Sequence, residues 1–226
     1  MAFQAARLWL IRHGETDWNT VGRVQGHTPT SLNENGRRQA AEVGRILVGS
    51  GRRFAACYAS DLPRAAETAR IIAEPLGLGV ETTTALRERS FGDWEGSTAA
   101  EIQARRVKLG LPGTTDLAEW NGVPGVESNE TLWQRVSAYL EGVASRHGGQ
   151  DVLVVTHGGV VMWSVYRVLG IPDQTKRRFP LSNGIVAVLE RREAGFYLIS
   201  YGDLAFLQGR AEERDTSRVG DVPGRG

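Results

Sequence analysis

Two histidines stand where apolar runs end. Leu8-Trp-Leu-Ile11 leads into Arg12-His13-Gly14, and Val152-Leu-Val-Val-Thr156 leads into His157-Gly158-Gly159. The chain has only four histidines, so this repetition is informative. A neutral imidazole is a competent nucleophile, and an arginine fixed beside it offers a fork of donors shaped for phosphate. His13 with Arg12 therefore reads as the start of a phosphate-handling site. His157 reads as its second wall.

Those side chains need elements to hold them. A continuous apolar strand is expected over residues 7–12, a second strand over 54–60, a short one over 79–83 and another buried one over 151–156. Two further strands, 184–190 and 196–201, are expected to be joined by a charged turn. Helical spacing or helix signals mark 35–48, 63–76, 97–109, 130–147 and 160–169. Strands alternating with helices predict an α/β fold, a three-layer α/β/α arrangement around a mixed, mostly parallel sheet. Ligands of such sheets bind beyond the carboxyl ends of the strands, where both histidines lie. Residues 1–207 read as one domain, with a Gly- and Pro-containing insertion at about 110–128. Residues 208–226 read as a disordered tail, being polar, Gly-rich and charged with both signs.

Composition narrows the class. At 226 residues, 41% hydrophobic and 23% charged, the chain suits one well-cored enzyme domain. A net charge of +1 offers no overall field toward nucleic acid or membrane, and the cations are not gathered in one patch. Cys57 stands alone, so it cannot form an intrachain disulfide, and its apolar neighbours make it a core residue. Neither a secretory signal nor a stretch of membrane-spanning length is recognisable, which leads to the expectation of a cytoplasmic protein. His27, in a polar loop, and His147, at a helix end where an imidazole is commonly solvated, are expected to be structural residues, and Trp18 and Trp94 to serve packing and not as ligand platforms.

Five segments in order carry a family resemblance. Arg12-His-Gly-Glu-Thr-Asp-Trp-Asn19, continued by Gly22-Arg-Val-Gln-Gly26 and Leu32-Asn-Glu-Asn-Gly-Arg37, resembles the signature of the histidine phosphatase superfamily. Ser60-Asp-Leu-Pro-Arg64 is similar to its second arginine segment, and Leu86-Arg-Glu-Arg-Ser-Phe-Gly-Asp-Trp-Glu-Gly96 to its acid segment. Gly125-Val-Glu-Ser128 and Val155-Thr-His-Gly-Gly159 complete the series, which runs from about Arg7 to Tyr201. The resemblance implies His13 as nucleophile, with Arg12, Arg64 and His157 binding the phosphoryl group. Asn19 and the Gly158 N–H become secondary donors, and Gln25 and Gly26 border the substrate. Glu88 becomes the general acid, and must hold a proton when substrate arrives. Glu15, Asp93 and Glu95 are nearby carboxylates. With three cationic or polar side chains on the phosphate, neither a metal nor a cofactor is implied. One departure lies in the substrate loop: many relatives carry Asp before a Pro, where this chain has Thr28.

The reaction implied is hydrolysis of a small phosphomonoester, of the sugar phosphate or phosphoglycerate type, through a phosphohistidine. The alternative is a phosphoglycerate mutase dependent on 2,3-bisphosphoglycerate. The segment after Glu88 is similar to phosphatase members, and the insertion is short for a mutase lid. A non-catalytic phosphate-binding relative would have lost His13 or Arg64, and both are present. Oligomeric state, a homodimer included, is left open.

Overall fold

The computed structural model describes residues 4–111, 123, 125–173, 175, 177–202 and 204. Most of the expected insertion and all of the expected tail fall outside the described residues. Six strands form one sheet: β1 (Ala6–Arg12), β2 (Phe54–Ser60), β3 (Val80–Thr83), β4 (Asp151–Thr156), β5 (Val186–Arg192) and β6 (Gly195–Gly202). Their order is β3-β2-β4-β1-β5-β6. The four from β3 to β1 run parallel, whereas β5 and β6 are antiparallel additions. The mixed, mostly parallel sheet expected from the sequence is what forms.

Helices cover both faces. On one side, α2 (Glu34–Gly49) and α3 (Pro63–Ala73) pack Ala40, Val43, Leu47, Ala65, Ala69 and Ile72 onto Trp9, Ile11, Leu153 and Val155. On the other, α5 (Asn129–Arg146) and α6 (Gly158–Leu169) pack Leu132, Val136, Leu140 and Val161 onto Leu8, Leu10, Val152 and Val154. Alternate residues of β1 and β4 thus serve opposite cores, which is why both strands read as unbroken apolar runs. Burying each such Leu or Ile contributes roughly 1.5–3 kcal/mol. Cys57 is buried in the first of these cores. A third cluster, Phe91, Trp94, Ile102 and Val123, lies beneath α4 (Ala99–Lys108).

Several boundaries differ from expectation for local reasons. Helix α3 stops at Ala73, and a 3-10 turn, Glu74–Leu76, follows where Pro75 has no N–H to continue the ladder. Helix α4 starts two residues late because Thr98 and Glu101 form a capping box. Helix α6 starts early, directly after His157, so its first N–H groups border the second histidine. A one-turn helix, α1 (Asp17–Thr20), also capped by a Thr16–Asn19 box, is too short to show any periodicity in the sequence.

Candidate active site

Strands β1 and β4 are parallel neighbours with Arg12 opposite Thr156. One residue further on, their ends present His13 and His157 side by side. The ring centroids are 5.2 Å apart, with planes inclined at 64°. His13 Nδ1 lies 2.7 Å from the Gly14 carbonyl oxygen, a partner that can only accept, so Nδ1 carries the proton. Nε2 is left with its lone pair, toward which Arg64 Nε–H donates at 3.3 Å. Burial pushes the His13 imidazole well below the ordinary 6.5, and the Arg64 and Arg12 charges add to this. His13 is therefore a neutral imidazole with a defined nucleophilic nitrogen.

Arg64 sits on the first turn of α3 and is fully buried. Its fork is held from behind: Nη1 donates to the Thr28 carbonyl at 3.0 Å and to Thr30 Oγ1 at 3.3 Å, and Nη2 to the Gly26 carbonyl at 2.7 Å. Burial pulls its pKa down to about 10, which leaves it charged near neutrality. Arg12 donates to the Leu181 carbonyl. His157 is fully buried, with Nε2 at 2.8 Å from Ser60 Oγ. Burial, then Arg64 and His13, hold this imidazole well below its usual value. Two buried nitrogens, Arg12 Nε and His157 Nδ1, have no protein partner.

Glu88 faces the histidines from the segment between two 3-10 turns, Thr84–Leu86 and Gly92–Trp94. Thr156 Oγ1 ties that segment to β4 by donating to the Leu86 carbonyl at 2.8 Å. The Glu88 carboxylate accepts the Arg89 N–H at 2.8 Å and the Gly159 N–H, on the first turn of α6, at 2.9 Å. A Cβ at Gly159 would collide with that carboxylate and force it to shift.

A cavity of about 250 Å³ is lined by Arg12, His13, Asn19, Gln25, Gly26, Arg64 and Glu88, whereas His157 and Gly158, both buried, are not part of its lining. Trp18, Gly22, Arg23, Val24 and Phe91 form its remaining wall. Asn19 Oδ1 is taken by Thr16 and, at 3.3 Å, by Asn183 Nδ2, so its amide N–H pair is what it can offer. Gln25 Oε1 accepts from Thr30 at 2.7 Å. Gly26 borders the cavity, but its carbonyl serves Arg64, and its φ of +50° suits glycine. A Cβ at Gly158 would press on the Arg12 guanidinium and the Leu181 side chain. Among the described residues, no group of three or more His, Cys, Asp and Glu is placed to hold a metal ion.

The side chains expected to play structural roles are placed as follows. His27 is half-buried and directed at Glu88, its Nε2 lying 2.8 Å from the Glu88 carbonyl oxygen. His147 is bonded at both nitrogens, to Tyr58 Oη at 2.9 Å and Gln150 Oε1 at 3.0 Å. Trp18 lines the cavity and does not only pack. Trp94, as expected, is a core residue. The sequence also gave no sign of roles for Ser60, Thr68, Arg135 or Asn183. Asn183 Nδ2 donates to the His13 carbonyl at 3.0 Å, a link across 170 positions for which no local pattern exists.

The profile of the histidine phosphatase superfamily (branch 1) matches residues 8–204. The metal-independent phosphoserine phosphatase of Arabidopsis thaliana is 34% identical over 209 residues, covering 90% of this chain and 84% of that one. A probable phosphoglycerate mutase of Erwinia tasmaniensis is 31% identical over 214 residues, covering 91% and 96% respectively. Of the solved structures, a mycobacterial glucosyl-3-phosphoglycerate phosphatase superimposes with a TM-score of 0.73 at 27% identity, covering 88% of this chain and all of that one.

Proposed function

We propose, for a chain that belongs to the histidine phosphatase superfamily (branch 1), metal-independent hydrolysis of small phosphomonoesters through a phosphohistidine on His13. One observation carries this reading: His13 is neutral, holds its proton on Nδ1, and directs Nε2 at the Arg64 guanidinium. The Nε2 lone pair attacks phosphorus as the P–O bond to the alcohol breaks. Arg12, Arg64 and His157 take the equatorial oxygens, with the Asn19 amide and the Gly158 N–H beside them. With Ser60 Oγ–H donating to His157 Nε2, phosphoryl oxygens would supply the acceptors that Arg12 Nε–H and His157 Nδ1–H lack.

Glu88 gives its proton to the departing alkoxide. It then takes one from water, which attacks the phosphohistidine and returns the electron pair to Nε2. The products are the alcohol and inorganic phosphate, and Glu88 regains its proton. The wall of Trp18, Val24 and Phe91 with Arg23 suits a small organic alcohol such as a sugar or glycerate. Residues 1–207 act as one catalytic domain. A lone, buried Cys57 and the lack of any described helix long and apolar enough to cross a membrane accord with our assignment to the cytoplasm.

The likeness to a probable mutase favours a second reading, in which the phosphoryl group returns to a bound phosphoglycerate. One experiment separates them. 3-Phosphoglycerate and a panel of phosphomonoesters are assayed for phosphate release with and without chelator, beside a coupled assay for 2-phosphoglycerate. The hydrolase releases phosphate with chelator present, needs no 2,3-bisphosphoglycerate, and loses turnover and the acid-labile phosphoenzyme together in His13→Ala. Isomer formation that outpaces phosphate release and depends on the bisphosphate installs the mutase.

A further inference from the structure

We propose that His27 is a positioning residue for Glu88, acting through the peptide bond that follows it. The proposal rests on Glu88 being the proton donor. Glu88 lies on a segment without a helical or strand ladder, so something else must fix its orientation. Its main-chain carbonyl oxygen receives two donors, His27 Nε2 and Arg135 Nη2, both at 2.8 Å. The N–H of that same peptide unit belongs to Arg89 and donates to Glu88 Oε1 at 2.8 Å. A peptide unit is planar and stiff. Holding its C=O therefore aims its N–H, and the N–H aims the carboxyl group.

The two donors reach that carbonyl from different elements. Arg135, on α5, is locked by Glu127 at 2.8 and 2.9 Å, and also holds the Ala85 and Arg87 carbonyls at 3.1 and 2.7 Å. That makes it a brace for the whole segment. His27 belongs to the loop whose Gly26 and Thr28 carbonyls hold Arg64. Glu95 fixes the loop in turn, accepting the His27 N–H at 2.9 Å and Thr28 Oγ1 at 2.8 Å. His27 thus links the arginine that binds the phosphoryl group to the acid that must meet the leaving oxygen. A small tilt of the peptide unit would move the carboxyl off that oxygen without touching the nucleophile.

The test compares phenyl phosphate with p-nitrophenyl phosphate, whose leaving group barely needs a proton. The full chain is used, as wild type, His27→Leu, His27→Gln and Glu88→Gln, with thermal melting recorded for each. His27→Leu should lower kcat on phenyl phosphate by roughly 10- to 10²-fold, the scale expected for a misplaced catalytic group, with KM little changed. Its loss on p-nitrophenyl phosphate should be much smaller. His27→Gln, whose side-chain amide can donate to the same carbonyl, should recover most of the loss. Equal losses on both substrates, or no recovery with Gln in a folded protein, overturn the proposal. Should Glu88→Gln itself lack the substrate contrast, the acid assignment falls and the proposal with it. A contrast in Glu88→Gln without one in His27→Leu overturns the His27 link alone.

Discussion

At the residue scale, Gly159 decides where the acid can stand. Its N–H holds Glu88 Oε2 at 2.9 Å, and the place of its missing Cβ is filled by the same carboxylate. Gly159→Ala should therefore push Glu88 away from the histidines. Gly-to-Ala within a helix normally stabilises by roughly 0.5–1 kcal/mol, so a backbone effect would raise stability. The expected outcome is a protein that still folds but turns over phenyl phosphate on the order of 10²-fold more slowly. Steady-state rates beside a urea melt check this, and wild-type turnover would refute the geometry. The same scale shows what the sequence could reveal. His13, Arg12 and His157 were legible because each ends an apolar run, and Arg64 and Glu88 because they sit in recognisable segments. His27 was not, because its partner is a main-chain oxygen 61 positions away.

Between elements, Thr68 joins α3 to the end of β1. Its hydroxyl donates to the Arg64 carbonyl at 2.7 Å and accepts the Gly14 N–H at 3.0 Å. Valine keeps the shape but offers no acceptor, which leaves a buried N–H unsatisfied at a cost of about 1–3 kcal/mol. Thr68→Val should lower the urea midpoint accordingly with an unchanged m-value, and a loosened Gly14 should also reduce kcat. An unchanged midpoint would show that this bond does not hold the elements together. The elements themselves were readable from the sequence wherever a long apolar run or a capped, periodic helix existed. The short 3-10 turns and α1 were not, since a single turn carries no period. Ser60, Thr68, Arg135 and Asn183 were unreadable for another reason: they act through contacts that exist only once the sheet is assembled.

On the scale of the whole molecule, the two buried imidazoles tie stability to acidity. His13 and His157 are held well below the ordinary 6.5 in the fold, chiefly by burial. As pH falls past about 6.5, the unfolded chain gains protons that the folded one refuses, so acid favours unfolding. The stability that depends on these groups is complete above that pH. It declines below it by up to about 1.4 kcal/mol per pH unit for each imidazole, until the folded-state values are reached. Urea midpoints measured from pH 8 to 5 should show this decline, and His13→Asn should make it shallower; a flat profile would contradict the buried, neutral assignment. A different property follows from the lone thiol of β2. Burial raises the Cys57 pKa to about 12, and the side chain lies between the sheet and α3. Alkylating reagents act on exposed thiolate, so in the closed molecule Cys57 is chemically silent. Its rate of modification becomes a clock for the opening of the parallel part of the sheet, the same part whose strand ends carry both histidines.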